Sequence, residues 1–171
     1  MEQMSFGNKW RKWIFGCLSS ARASVLVNGT PSDEFPITRG VRQGDPLSPF
    51  LFIIAMEWLH VAIQGASGRS LIHGVKLPNN GPTISHLLYA DDTIFSGMWD
   101  LESIQNLSRI LKCFEISSGL KINFHKSRLF GINVFDYELQ SMAQVLGCLK
   151  SSFPFIYLGV PMGANMALKN K

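Results

Sequence analysis

Tight-turn signals between short apolar runs constrain the fold of this chain more than any other feature of its sequence. Asn28-Gly29 and Asn79-Asn80-Gly81 each separate two such runs, and this arrangement predicts β-hairpins. A third pair of apolar runs, 86–88 and 93–96, flanks Tyr89-Ala90-Asp91-Asp92. The two adjacent carboxylates are therefore predicted at or near a hairpin turn.

Four other segments carry apolar residues at helical spacing, with start or stop signals at their ends. They are Phe6–Ala21, a helix from Asp45-Pro46 to near Gly65, a helix from Asp100 to Gly119, and Asp136–Leu146 before Gly147. Residues 66–73 are predicted as a loop, and Lys121–Phe124, Leu129–Ile132 and Phe155–Leu158 as strands. Strands joined by tight turns predict an α+β fold, an antiparallel sheet with helices packed on one face.

Length and composition are those of a single domain with a hydrophobic core, since the chain has 171 residues of which 46% are hydrophobic. Its three widely spaced cysteines form no disulfide or zinc pattern, which favours a reducing compartment. The longest apolar run, Phe50–Met56, is too short to span a bilayer, and the N-terminus does not resemble a secretory signal. We therefore expect no membrane partner, and the location stays open.

The net charge of +4 is concentrated in the last third of the chain. Residues 1–120 carry ten Lys/Arg and ten Asp/Glu, whereas residues 121–171 carry six and two. A polyanionic partner and a set of solvated lysines both fit this distribution.

The acidic pair Asp91-Asp92 has a chemical consequence of its own. Ionising two neighbouring carboxylates costs free energy unless a cation is present. A divalent metal relieves that repulsion, and carboxylates with Mg²⁺ are typical of sites that transfer phosphoryl or nucleotidyl groups. The alternative is a solvated acidic turn without a ligand.

Four motifs together carry a resemblance to a known family. They are the Arg-Gly-Val-Arg-Gln-Gly-Asp-Pro-Leu-Ser-Pro block at 39–49, the acidic turn at 89–92, Ser-Gly-Leu-Lys-Ile-Asn-Phe-His-Lys-Ser at 118–127, and Tyr-Leu-Gly-Val-Pro-Met-Gly at 157–163. In this order they resemble the reverse transcriptase of non-LTR retrotransposons, closest to plant long interspersed elements. The resemblance runs from about Phe6 to Asn165, and the first block is its most specific part.

The resemblance implies a partial palm of a right-hand polymerase, with residues 1–171 as a single partial reverse transcriptase domain. It also implies RNA-templated DNA synthesis with two Mg²⁺ ions, for which Mn²⁺ is the substitute. The expected partners are an RNA template, a DNA primer and deoxynucleotides, while the oligomeric state stays open.

The resemblance assigns roles to three groups of residues. Asp91 and Asp92 are implied as catalytic metal ligands, with Asp92 the weaker or indirect one, and Lys126 as the acid that protonates the pyrophosphate leaving group. Arg42, Gln43, Gly44 and Tyr89 are implied to contact nucleotide or template, and Tyr157, Leu158 and Gly159 the primer. Structural alternatives stay open: Lys126 as a surface lysine, Arg42 as a hairpin charge, and Tyr157 as a buried strand residue. His86 and His125 are interpreted as structural.

One further metal-binding Asp is expected on a strand before the first helix, and the sequence does not supply it. Residues 1–38 contain the single aspartate Asp33, in a loop without an apolar strand. Most of the fingers and the thumb are expected to be absent as well. We therefore predict that the chain alone does not polymerise. The alternative is a non-enzymatic nucleic-acid-binding remnant of a decayed element, and the 39–49 block disfavours a different palm-type nucleotidyl transferase.

Overall fold

The computed structural model describes residues 1, 2, 4–38 and 40–163, and in them helices and short strands alternate along the chain. The helices are α1 (Asn8–Ser19), α2 (Ser48–Gly68), α3 (Leu101–Ser118) and α4 (Asp136–Leu146). The first six strands are β1 (Arg22–Ala23), β2 (Leu26–Val27), β3 (Thr30–Pro31), β4 (Phe35–Pro36), β5 (Val75–Lys76) and β6 (Thr83–Ile84). The remaining strands are β7 (His86–Tyr89), β8 (Asp92–Phe95), β9 (Arg128–Phe130), β10 (Leu149–Ser151), β11 (Phe155–Tyr157) and β12 (Val160–Met162).

The mixed helix and strand composition is as predicted, but the single antiparallel sheet is not. Across the described ranges the strands form six separate two-stranded ladders. Five ladders are antiparallel, and β9 pairs with β10 in parallel. Parallel strands need a crossover between them, and α4 supplies it here because it lies between β9 and β10 in the chain and packs on both.

Helices α3 and α4 have the bounds that their start and stop signals predict. The Asp100 carboxylate accepts a hydrogen bond from the Ser103 N–H at 2.6 Å, which caps α3. Gly119 and Gly147 end α3 and α4 in the left-handed conformation, at φ 73° and 76°. The first helix is shorter than predicted, and of its expected apolar face Ile14 is buried whereas Trp13 is 61% exposed.

The predicted strand at 121–124 and part of the predicted loop at 66–73 are wrong. Residues 121–123 have no regular structure and 124–126 form a turn, because the Asn123 carboxamide and carbonyl oxygens both accept the Lys126 N–H. An asparagine that bonds nearby backbone in this way favours a turn over a strand. The second helix continues through Gly65 to Gly68, since an isolated glycine is tolerated inside a helix.

The core lies between α2 and α3. Its buried members are Leu59, Ile63, Ala66, Ile72, Leu111 and Phe114. Trp58 stacks on Phe114 with ring centroids 5.8 Å apart, and Phe95 packs against the cluster from β8. The hairpin that carries the acidic pair is therefore attached to the core at its Phe95 end.

Helix α2 is long and apolar enough, by length and composition alone, to cross a membrane. That is a weak indication, because the core helix of a water-soluble domain has the same properties. Leu59, Ile63 and Ala66 of α2 face the core described above. The absence of a membrane partner stays a prediction.

Candidate active site

The acidic pair lies at the tip of a two-residue hairpin. Tyr89 of β7 is opposite Asp92 of β8, so Ala90 and Asp91 form the loop between them. Ala90 has φ 48°, and a positive φ at the first loop residue is what the tight turns that match strand twist require. The predicted turn is thus confirmed, and Tyr89, Ala90, Asp91 and Asp92 are all exposed.

The two carboxylates stand free in solvent. In the described part of the chain, neither Asp91 nor Asp92 takes part in an ion pair or a side-chain hydrogen bond. Carboxylate oxygens are the donors that Mg²⁺ prefers, so the type of ligand fits a hard divalent cation. Their number does not complete a site, because the described residues contain no group of three or more His, Cys, Asp or Glu side chains placed to hold a metal.

The opposite end of this hairpin is held by side chains. His86 and Phe95 face each other across the two strands, and Phe95 packs on the core. The His86 ring makes a 2.7 Å hydrogen bond to His60 of α2. Ser96 extends the pairing through its N–H, which donates to the Ser85 carbonyl at 2.9 Å. The turn therefore projects from an anchored base.

The segment before α2 forms a turn closed by its own side chains. The Asp45 carboxylate accepts the Leu47 N–H at 2.8 Å, and the Ser48 hydroxyl donates to the Arg42 carbonyl at 2.5 Å. Helix α2 consequently begins at Ser48 rather than at Asp45-Pro46, because Asp45 caps a turn that precedes the helix. The N–H groups at the start of this helix are thus partly satisfied by the chain itself.

Within this turn, Gly44 has φ 81°, a conformation that a side chain would strain. Arg42, Gln43 and Gly44 are exposed, so they are accessible to a ligand. Arg39, the first residue of the block, lies outside the described residues.

Lys126 lies in a second compact turn, after α3. The Asn123 carbonyl accepts the Lys126 N–H at 3.1 Å and the Ser127 hydroxyl at 3.0 Å. The lysine side chain is exposed, and it forms no ion pair with another described residue. The ammonium group is consequently available to solvent or to an anion.

Tyr157, Leu158 and Gly159 belong to the hairpin of β11 and β12. Leu158 and Gly159 form its two-residue loop, with φ 49° and 80°. Turns with two positive φ values normally carry Asn or Gly, so Leu158 holds a conformation that costs an L residue about 1–2 kcal/mol. The hairpin is anchored by Phe155, whose ring stacks on Phe130 of β9 at a centroid distance of 4.2 Å.

The structure thus forms four exposed turns, each stabilised by local bonds. No hydrogen bond or ion pair joins the acidic turn to Arg42, to Lys126 or to Tyr157 within the described ranges. The roles assigned to these residues stay predictions.

Two polar clusters were not anticipated from the sequence. One is the His60–His86 pair, which joins a helix to a strand 26 residues away. The other joins Ser103, His73 and Asp100: the Ser103 hydroxyl lies 3.3 Å from His73 Nδ1, and Asp100 Oδ2 lies 3.8 Å from the same nitrogen. A nucleophile relay needs the hydroxyl and the carboxylate on opposite ring nitrogens, so this cluster is structural. The Asp100–Ser103 cap is local, but no local spacing in the sequence would have revealed that His60 lies next to His86 or that His73 lies next to Ser103.

Comparison with known proteins gives a consistent result. Residues 1–166 match the family described as reverse transcriptase (RNA-dependent DNA polymerase). An uncharacterized mitochondrial protein of Arabidopsis thaliana is 36% identical over 105 residues, 61% of this chain and 85% of that protein. A retrovirus-related Pol polyprotein from the type-1 retrotransposable element R2 of Popillia japonica is 29% identical over 129 residues, 74% of this chain. A 149 kDa protein of transposon TX1 from Xenopus laevis is 27% identical over 127 residues, also 74% of this chain.

The match covers 17% of the R2 polyprotein and 9% of the TX1 protein, so the chain corresponds to a small part of each. This partial coverage agrees with the predicted fragment. The family match and the retrotransposon relatives confirm the resemblance to non-LTR elements, and they favour it over the interpretation as a non-enzymatic remnant. The chain belongs to the reverse transcriptase family.

Proposed function

We propose that, within an intact enzyme, this chain forms part of the palm that carries out RNA-templated DNA synthesis. The supporting observation is the pair of exposed carboxylates, Asp91 and Asp92, at the tip of an anchored hairpin in a chain of the reverse transcriptase family. An RNA template, a DNA primer and deoxynucleotides are the substrates that this role requires.

Asp91 and Asp92 would hold divalent cations, Mg²⁺ or in its place Mn²⁺. Asp91 occupies the loop and Asp92 begins β8, so adjacent positions present their side chains differently, and we assign Asp91 the principal role. When bound, such ions stabilise the attacking and leaving oxygens of the nucleotidyl transfer. At least one more carboxylate is needed to hold two ions, and the described residues do not contain it near the turn.

The turn at 42–44 and Tyr89 would contact the incoming nucleotide and the template. Gly44 allows the backbone to approach a ligand closely, and the Gln43 carboxamide offers both a donor and an acceptor to a base or sugar. The Arg42 guanidinium suits a phosphate. The exposed Tyr89 ring, next to the acidic pair, would border the primer end.

Lys126 would act on the pyrophosphate leaving group, and the β11–β12 hairpin would contact the primer strand. The exposed ammonium of Lys126 is suited to protonate the pyrophosphate leaving group, a contribution of about 10²–10⁴-fold for a positioned acid. Tyr157, Leu158 and Gly159 would support the primer strand, and the positive φ of Leu158 is a backbone strain of the kind that clusters at ligand sites.

We further propose that residues 1–171 constitute a single partial domain that does not polymerise by itself. Two carboxylates without a third ligand hold ions weakly, and four turns without mutual bonds grip a primer-template poorly. Primer extension by the purified chain should therefore remain at background with Mg²⁺ or Mn²⁺. Incorporation that disappears in Asp91→Ala would contradict this proposal.

The metal-binding role can be measured separately from catalysis. Titration of ¹⁵N-labelled protein with Mn²⁺ should broaden amide signals around the acidic turn first, because a paramagnetic ion relaxes nearby nuclei. Asp91→Asn should abolish the selective broadening, and Asp92→Asn should weaken it. Asp33→Asn is the matched control, since Asp33 and Glu34 are also adjacent exposed carboxylates, and Glu34 pairs with Arg22 at 3.2 Å. Broadening that is equal at both sites would exclude a selective metal site at the turn.

A further inference from the structure

Two half-buried imidazoles join helix α2 to the hairpin of the acidic turn. His60 Nδ1 lies 2.7 Å from His86 Nε2, and the ring centroids are 4.9 Å apart. The second nitrogen of His86, Nδ1, lies 2.9 Å from the Ser85 hydroxyl. The rings border a cavity of about 650 Å³ between α2 and residues 83–88, and Glu57 is the charged side chain that borders the same cavity.

This contact lies at the base of the hairpin. His86 pairs with Phe95 across the strands, and the ladder continues from there to Tyr89 and Asp92 at the turn. Phe95 fixes the β8 side of the base through the core, while the bond to His60 fixes the β7 side. The two attachments together determine the direction in which the hairpin leaves the core.

We propose that the His60–His86 bond is a positioning contact, which sets the direction of the acidic hairpin relative to α2. The bond is released when both rings are in the charged imidazolium form. Its relevance to catalysis rests on the function proposed above. His60 and His86 are positioning residues in this account, because neither reaches the acidic turn.

The geometry amplifies a small change at the base. At about 3.3 Å per residue, Tyr89 at the end of β7 is about 10 Å along the strand from His86, so a tilt of about 10° displaces the base of the acidic turn by about 2 Å. Along α2, at about 1.5 Å per residue, Ser48 is about 18 Å from His60. The acidic turn and the 42–48 turn therefore lie at the ends of two arms that meet at this bond. A misplacement of about 1 Å at a reacting centre can lower a rate about 10²-fold.

Protonation determines whether the bond can exist. With both rings neutral, one N–H donates to the lone pair of the other ring, and with one proton added the charged ring still donates to the neutral one. With both rings charged, each nitrogen carries a proton, no acceptor remains, and the charges repel. Ser85 accepts from His86 Nδ1 in the charged state, so it does not restore the lost bond.

The direction of the pH effect follows from the surroundings. Burial lowers the pKa of His86 below its ordinary value, and the neighbouring His60 lowers it further. When folding lowers the pKa of a histidine, its contribution to stability is fully present at a pH above the unfolded pKa of about 6.5. This contribution is lost as the pH falls through the folded pKa. The contact should thus persist at neutral pH and open in acid.

Amide hydrogen exchange in residues 86–95 of the 171-residue chain tests this inference, with three variants compared with wild type at each pH between about 7.5 and about 5. His60→Leu removes the bond, and at neutral pH it should raise the exchange rate of the hairpin about fivefold, the effect of one ordinary hydrogen bond. His60→Gln replaces the titrating ring by a neutral amide that can donate or accept. His125→Gln, at an exposed histidine, is the control and should match wild type throughout.

The pH series separates positioning from a merely structural role. As the pH falls, wild type should approach His60→Leu, whereas His60→Gln should remain protected and exchange about fivefold more slowly than wild type. The inference fails if His60→Leu equals wild type at neutral pH, or if His60→Gln loses protection in acid as wild type does. The amides of α3 are the internal reference. If His60→Leu raises their exchange rates as well, the variant is destabilised globally, and the pH series of His60→Gln then tests the inference by itself. These measurements use no metal or nucleic acid, so they can succeed even where the Mn²⁺ titration of the acidic turn fails.

Discussion

Replacing Asp100 by Ala should destabilise the protein by about 1–2 kcal/mol, the upper half of the range for loss of a helix cap. The Asp100 carboxylate accepts the Ser103 N–H at 2.6 Å. Ser103 is 5% exposed, so water cannot easily replace the lost acceptor and the N–H would stay unsatisfied. Helix α3 supplies Leu111 and Phe114 to the core, and fraying at its start therefore weakens the main packing interface.

Asp100→Asn separates the cap from the charge. Asparagine keeps an oxygen for the Ser103 N–H and loses the negative charge at the helix N-terminus, a contribution of about 0.3–1 kcal/mol. Its loss of stability at neutral pH should thus be smaller than that of Asp100→Ala. Asp136→Ala is the control at the start of α4, where the carboxylate is exposed and pairs with Lys150 at 2.5 Å. An exposed pair of this kind contributes about 0–1 kcal/mol.

The pH dependence of the same cap has a defined sign. Burial would raise the pKa of Asp100, but hydrogen bonds from Ser103 and the charge of His73 outweigh it, and the pKa lies below its usual value. The ionised form therefore stabilises the fold above the unfolded pKa, and this contribution is lost as the pH falls through the folded pKa. The stability difference between wild type and Asp100→Asn should narrow over that range.

Urea unfolding followed by circular dichroism measures the free energy of unfolding of all three variants. In a thermal melt, each kcal/mol should shift the melting temperature by about 2–4 °C for a chain of this size. The reasoning is refuted if the free energy of unfolding of Asp100→Ala lies within about 0.5 kcal/mol of that of wild type, the spread expected for surface substitutions. It is also refuted if Asp100→Asn is as destabilised as Asp100→Ala, because the charge and not the hydrogen bond would then dominate.

Three further predictions use the same unfolding assay. Gly119→Ala should destabilise the protein by about 1 kcal/mol because its φ of 73° strains a side chain, whereas Gly65→Ala inside α2 should stabilise it by up to about 1 kcal/mol. Stability changes of the same sign in both variants would contradict the conformational argument. Ile63, which is 0% exposed, should lose about 2–5 kcal/mol on truncation to Ala but about 0.5–1.5 kcal/mol to Val, and a small loss in both would mean that the core rearranges freely. Lys150→Gln should change stability by less than about 1 kcal/mol, since its partner carboxylate is mostly exposed.

Local signals in the sequence predicted the elements whose ends depend on one or two residues. The Asp100 cap and the Gly119 stop give the bounds of α3, and Gly147 ends α4 as expected. Each signal acts through hydrogen bonds within four residues of itself, so no distant contact can override it at low cost.

Features that depend on distant partners were predicted less well. The 121–124 segment alternates like a strand, but the Asn123 side chain closes a turn, and among the described residues no strand pairs with this segment. The parallel pairing of β9 with β10 depends on how α4 packs, which neither strand encodes. The helix start at Ser48 differs from the predicted start because Asp45 can cap a turn as well as a helix.

The candidate site shows the same division between local and distant information. Its four turns are encoded locally. The sequence predicted the turn of the acidic pair from the apolar runs on either side of it. Their relative placement depends on connections that no motif contains: α2 leads from the 42–48 turn to His60, and the His86 and Phe95 attachments lead from there to Asp91. A substitution at the base of the hairpin can therefore disturb the site while every residue of the family motifs is intact. Under the proposed positioning role of the His60–His86 bond, intact motifs alone are insufficient to identify a working copy of this domain, because the α2–hairpin junction has to be intact as well.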